Sequence, residues 1–317
     1  MTSLSEDPVQ SIQPRSARSR AVDISFKWIT RLLAFTVAGV LIWIALVVAK
    51  DALPAIREFG LQFAFSSAWD PVNDRYGAWP YIYGTIVSAI LALLLALPIG
   101  IGVALFLSED YLPPKIQRIF VFLIELLAAI PSVVYGLWGI FVLIPLMREL
   151  GLFLHEHLGW IPLFSTAPSG PGMHVAGVIL AIMILPIISA ISRDALISVP
   201  PELRQASMGL GATRWETIFK VILPAASSGI VGGTMLALGR ALGETMAVTM
   251  VIGNASRVSA SIFEPSSTIA ALLANQFAEA GGLQVSALMY AALVLFGLTL
   301  VVNILAELLV RRVSQKL

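Results

Sequence analysis

The chain has 317 residues, of which 58% are hydrophobic and only 12% charged, and its net charge is +1. A soluble globular chain carries roughly 25% charged residues, so this composition is too poor in charge to wet a soluble fold and fits one whose surface a bilayer solvates. The small net charge argues against a nucleic-acid-binding face, and the absence of cysteine excludes disulfides, thiolate metal sites and cysteine nucleophiles.

Residues 1–27 read as a disordered cytoplasmic tail, with Arg15, Arg18 and Arg20 set among serines and prolines. The apolar stretch that follows is too long for the core of a cleavable signal peptide, and no small-residue cleavage pattern follows it. Residues 28–312 form a transmembrane domain, and residues 313–317 a second tail. A helix needs about 20 mostly apolar residues to cross the hydrocarbon, and six stretches qualify. They run from about Trp28 to Ala49, Pro80 to Leu107, Ile119 to Met147, Met173 to Ser192, Ala225 to Ile252, and Val285 to Leu309. The expected fold class is therefore all-α integral membrane, with six transmembrane helices.

Lysine and arginine gather on the cytoplasmic side of short loops. With the N-terminus inside, the inner segments hold fourteen: Arg15, Arg18, Arg20, Lys27 and Arg31; Lys115 and Arg118; Arg193, Arg204, Arg214 and Lys220; Arg311, Arg312 and Lys316. The outer segments hold five, Lys50, Arg57, Arg75, Arg148 and Arg257, and Arg240 lies within a helix. Both termini are expected in the cytoplasm.

The longest inner loop, residues 193–224, reads as folded. Pro200 and Pro201 suit a helix start, since proline lacks a donor the first turn would leave unpaired. Glu202 complements the dipole there. Gly209 and Gly211 break that helix. Thr213 and Glu216 have capping-box spacing and start a second one, whose apolar stripe is Trp215, Ile218, Phe219 and Ile222. By spacing alone, the pair could lie on lipid headgroups or dock a soluble partner.

The stretch from Gln205 to Pro224 resembles the EAA loop of bacterial ABC importer permeases. Gln205, Ala206 and Ser207 stand at the Glu-Ala-Ala triplet, Gly211 at the glycine, and Val221, Leu223 and Pro224 at the Ile-x-Leu-Pro end. The departures are glutamine for glutamate, serine for the second alanine, and valine for isoleucine. The resemblance implies a type I importer architecture in which this loop inserts into a cleft of an ATPase subunit. With the triplet carboxylate lost, Glu202 or Glu216 is left to supply an acid for that contact.

The fifth stretch carries Arg240 and Glu244. A charge at mid-bilayer costs about 2.5–3.5 kcal/mol on insertion scales, so both are expected to face protein or water. Four residues apart on a helix, they share a face and can pair. Gly233 and Ala237 fall on the same face, and Gly229/Gly233 and Gly239/Gly243 have the spacing that lets another helix approach closely. The pair could simply fix packing, or it could mark a translocation path. In the second case the arginine fork suits bidentate contact with a tetrahedral oxyanion. A carboxylate at Glu244 could accept a hydrogen bond from protonated phosphate, which bare sulfate cannot donate.

The segments Gly239 to Asn254, Glu125 to Gly139 and Leu180 to Leu196 resemble the PstC family of phosphate-specific transport permeases, from about residue 75 onward. That resemblance implies an importer subunit that translocates inorganic phosphate with Arg240 and Glu244 on its path. It also implies a second permease of PstA type, an ATPase dimer of PstB type and an extracytoplasmic phosphate-binding protein of PstS type. No phosphate-cradling Gly-rich loop with Lys-Ser/Thr is present, so ATP chemistry is expected on the partner and neither enzymatic activity nor a cofactor here. Two alternatives remain open: a permease for another oxyanion such as sulfate or molybdate, and an ion-driven secondary transporter.

Of the remaining candidates, Glu125 is expected near the inner end of helix three. Pro98, Pro131, Pro145 and Pro186 are expected to kink their helices, and Glu307 to offset Arg311. His155 and His157, flanking Glu156 in an outer loop, would share a side of an extended segment but make a weak metal site.

Overall fold

The computed structural model describes residues 17–109 and 111–314. The expected polar tail before residue 17 lies outside them. Its last part does not: residues 17–27 already belong to helix α1, Ala17–Phe59. Contacts divide the chain into residues 1–50 and residues 51–317. In the first unit the side chains of residues 23–42 are all exposed, apolar ones included, as expected where lipid is the solvent.

The second unit holds two short strands, β1 (Trp69–Asp70) and β2 (Arg75–Tyr76), paired antiparallel. Helices α2 (Trp79–Ser108), α3 (Pro114–Ala129), α4 (Ser132–Trp138) and α5 (Ile144–Leu158) follow. Then come α6 (Met173–Ile197), α7 (Pro201–Gly209), α8 (Arg214–Thr217) and α9 (Leu223–Gly243). The last are α10 (Met246–Val251), α11 (Ile269–Gln276) and α12 (Leu283–Ser314). Among the described residues, six helical segments are long and apolar enough to cross a membrane. They run Asp23–Ala64, Trp79–Ser108, Ser132–Leu158, Met173–Ile197, Arg214–Gly243 and Leu283–Leu308.

The third span differs from the sequence expectation. Pro131 does not kink a continuous helix; it separates two. The chain is extended at Ile130 and Pro131, with ψ 127° and 141°, because a proline forces its predecessor out of the helical region. The span then runs from Ser132 through a π-helical turn at Gly139–Leu143 to Leu158. Glu125 stays behind on the amphipathic α3, which has no buried residue. His155 and His157 consequently sit in the last turn of α5. Two positions apart on a helix they point in different directions, and each ring bonds a separate carbonyl, Phe164 and Phe153. Arg311, the expected partner of Glu307, has its side chain outside the described residues.

Helix α6 is the axis of the second unit, with α2 and α9 packed along it. Lipid offers no hydrophobic drive between helices, so close approach through small residues does this work. Gly177 is pressed against Leu91, and Gly100 against Ile188. A Cβ on Gly229 would lie 2.5 Å from that of Ala195, and one on Gly233 would lie 2.8 Å from Ile191. Gly232, Gly239 and Gly243 on the same helix have nothing within 4 Å. This asymmetry sets a prediction. Gly233→Val overpacks the α6–α9 seam by about 1–3 kcal/mol and lowers both membrane level and thermal stability in detergent. Gly239→Ala leaves the isolated chain as stable as before.

Candidate functional site

Arg240 lies one turn before the end of α9 and its side chain is exposed. It lines an open cavity of about 650 Å³ with Gly232, Met235, Leu236 and Gly239 of the same helix, Ile187 of α6 and Asn303 of α12. The floor is largely glycine and apolar side chains, so the guanidinium is the one charged group lining the cavity. It is also close enough to the Tyr135 hydroxyl for the two to interact electrostatically. Gly233 and Ala237, expected beside Arg240, are instead buried; α9 presents them to the core and turns Arg240 outward.

Glu244 is not one helical turn above Arg240. Helix α9 stops at Gly243 and the backbone at Glu244 is extended, with ψ 129°. Among the described residues the ion pairs are Arg193–Asp194, Arg204–Glu109, Arg214–Glu109 and Lys220–Glu216, and neither Arg240 nor Glu244 is in any of them. The expected pair is therefore absent. The half-buried Glu244 carboxylate accepts a hydrogen bond from the Ala247 amide, 3.4 Å away, at the start of α10. The break follows from packing: α10 lies against α4, where Gly136 admits Met250 and Ala247. A guanidinium without a carboxylate partner among the described residues, in an open and largely apolar cavity, is free to take an anion from water.

The loop between α6 and α9 folds as its sequence foretold. Helix α7 opens at Pro201 with Glu202 exposed in its first turn. Gln205 and Ala206 are exposed. Ser207 is half-buried, and its hydroxyl meets that of Thr217 at 2.9 Å, tying the triplet to α8. Gly211 has φ +88°, a conformation in which L side chains are strained. The capping box is complete: the Glu216 amide donates to Thr213 Oγ1 at 3.3 Å, and Glu216 Oε2 accepts from the Thr213 amide at 3.0 Å. Because Lys220 Nζ also lies 3.3 Å from Glu216 Oε1, Glu216, though exposed, is already engaged, and of these two acids the exposed Glu202 is the one outside the ion pairs. Val221, Leu223 and Pro224 are half-buried, leading through a π-helical turn into α9.

The tip of this loop is apolar. Leu210 is 90% exposed, and Met208, Trp215 and Phe219 are more than half exposed. Trp215 and Phe219 stack with ring centroids 5.9 Å apart. Exposed apolar surface concentrated beside a rigid cap marks an interaction site rather than a solvated turn.

Sequence reasoning missed three contributors. Asn303 on α12 gave no local signal, being one polar residue near the end of a long apolar run. Tyr135 gave no local signal either. Glu109, just past α2, is 2% exposed and binds arginines 95 and 105 positions away, a contact no local pattern announces.

An axial helix flanked by glycine-packed spans, with a capped two-helix loop at one end, fits an importer-type membrane permease. The family described as binding-protein-dependent transport system inner membrane component matches residues 96–315, and the chain belongs to it. It is 45% identical over 93% of its length, and 93% of the relative's, to the phosphate transport system permease protein PstC of Pasteurella multocida strain Pm70. The PstC of Haemophilus influenzae is 44% identical over 93% of this chain and 95% of that protein. In three dimensions the chain resembles a chain of a bacterial alginate ABC transporter crystallised with an alginate pentasaccharide-bound periplasmic protein. The TM-score there is 0.58 at 17% identity, over 92% of this chain and 97% of that one. The protein is a multi-pass inner-membrane protein.

Proposed function

We propose that this chain is the permease subunit of an ATP-binding-cassette importer that passes inorganic phosphate along the Arg240 face of α9. The observation that carries the reading is an arginine in no ion pair among the described residues, set in an open and largely apolar cavity of a chain 45% identical to a PstC protein over 93% of its length. Arg240 supplies a bidentate donor to the tetrahedral anion. Glu244, at the break between α9 and α10, accepts a hydrogen bond from the protonated oxygen that distinguishes phosphate from sulfate near neutral pH. The open stripe of Gly232, Gly239 and Gly243 is where a second permease of PstA type approaches, completing a path of which this chain forms half.

An ATPase and a binding protein are the partners of an importer of this class; here they are a PstB-type dimer and a PstS-type phosphate-binding protein. The ATPase docks on the loop of residues 193–224, with Leu210 at its tip and Glu202, Gln205, Ala206, Ser207 and Gly211 around it. Val221, Leu223 and Pro224 carry the motion into α9. Both termini and this loop face the cytoplasm, following the distribution of lysine and arginine. Nucleotide closure selects one of two arrangements of the helices. The chain catalyses no reaction itself.

Competitive uptake tests the reading. Cells or proteoliposomes carrying the complete complex take up labelled phosphate, unlabelled phosphate competes, and equimolar sulfate or molybdate does not. Uptake survives collapse of ion gradients and stops on ATP depletion. Equal competition by sulfate would establish the wider oxyanion permease, and gradient-dependent uptake the secondary transporter.

A further inference from the structure

We propose that Glu109 is a positioning residue that locks the coupling loop to the inner end of α2, so that closure of the ATPases moves loop and helix as one body. The inference rests on the reading of that loop as the ATPase dock. The residue caps α2, its amide bonding the Leu105 carbonyl at 3.1 Å. Its side chain is 1% exposed, and Oε2 is met by Arg204 Nη1 of α7 at 2.5 Å and by Arg214 Nη2 of α8 at 3.6 Å. The Arg214 guanidinium also sits 4.1 Å over the Tyr111 ring. One carboxylate thus gathers the end of α2 and both loop helices, which are otherwise joined by the turn at Gly211 and the Ser207–Thr217 contact.

A carboxylate this deeply buried is held only where its partners are in place, so Glu109 adds a third tie to the glycine turn and the Ser207–Thr217 contact between α7 and α8. The other oxygen, Oε1, is buried with no hydrogen-bond partner among the described residues, and Glu109 lines a cavity of about 240 Å³ with Arg204, Met208, Thr217 and Ile218.

The far end of α2 is fastened as well. Thr85 Oγ1 accepts from the Ile269 amide at 3.0 Å, and the Tyr83 hydroxyl donates to the Ser259 carbonyl at 2.6 Å. The segment they hold pairs in turn with Ile252, just past α10, through the Ser266 amide at 3.0 Å. Glu109 therefore stands at one end of a rod whose other end abuts the segment following the α9–α10 break. Hydrogen bonds and an ion-paired clamp at the two ends of one helix make the kind of contiguous network through which coupling is carried.

The test uses the complete transporter in proteoliposomes, reading ATPase co-purification, ATP hydrolysis and phosphate uptake together. Glu109→Gln keeps the ATPase bound and hydrolysing, but phosphate moved per ATP falls by roughly tenfold or more. Glu109→Asp, which restores the charge, recovers most of it. If the glutamine variant does not accumulate, Arg204→Gln with Arg214→Gln, both partly exposed, opens the clamp from the other side and gives the same split. Unchanged phosphate per ATP in whichever variant assembles overturns the proposal, as does a failure of Glu109→Asp to restore coupling. Leu210→Asp serves as the separate control: if it retains the ATPase, the docking reading has failed, whatever Glu109 does.

Discussion

Arg240→Ala abolishes phosphate uptake, by about 100-fold or more, while leaving the assembled complex at normal levels. The size follows from two charge-assisted hydrogen bonds to the anion, each about 1.5–3 kcal/mol, with every 1.4 kcal/mol a factor of ten. The sparing of assembly follows from the side chain's surroundings. Arg240 is exposed in an open cavity and holds no ion pair among the described residues, so its removal breaks no packing of this chain. Arg240→Lys retains the charge but not the planar fork, and falls between, at roughly tenfold. Measuring transport together with membrane levels of every subunit separates this outcome from a structural one. Normal uptake by the alanine variant in a fully assembled complex would remove Arg240 from the path.

Leu210→Asp detaches the ATPase. A leucine that is 90% exposed at the tip of a capped two-helix loop has no role in holding that loop together, and aspartate there leaves the chain folded. In the docked complex the same side chain is buried in the partner's cleft, where an unpaired carboxylate is strongly disfavoured. Central interface residues of this kind cost about 2 kcal/mol or more when lost, enough for a 30-fold drop in affinity. Pull-down of the ATPase through a tag on this chain measures it directly, with Trp215→Ala as a milder companion. Transport falls in parallel, in contrast to the Glu109 variants, which keep the ATPase but lose coupling.

What the sequence revealed was what is local. Six apolar runs are a property of composition over 20 residues, and the capping box at Thr213 and Glu216 is complete within four. The positive φ at Gly211 could be anticipated because glycine closes such a turn between two helices without strain. The break at Glu244 could not. The run from Leu238 to Val251 contains no proline and reads as one helix, and it is divided because α10 must seat Ala247 and Met250 against Gly136 of α4. With that break the expected Arg240–Glu244 pair disappears, and an apparent structural ion pair becomes an unpartnered arginine. Pro131 was visible, but whether a proline bends or divides a helix depends on whether something fills the gap; here α4 leaves on a new path, and Glu125 is stranded on α3. Glu109 and Asn303 carry no signal at all until helices distant in sequence are brought beside them.

The central claim is that the Arg240 face of α9 is the route of phosphate, and the chain's lack of cysteine permits a direct test. Gly239→Cys, beside Arg240 on the cavity wall and with no other atom of this chain within 4 Å, is introduced into the complete transporter and labelled on this chain with a small charged thiol reagent during turnover. The account predicts labelling that phosphate slows in proportion to its occupancy of the path and that sulfate leaves unchanged. Labelling at the same rate with and without phosphate, in a complex that still transports, would contradict it.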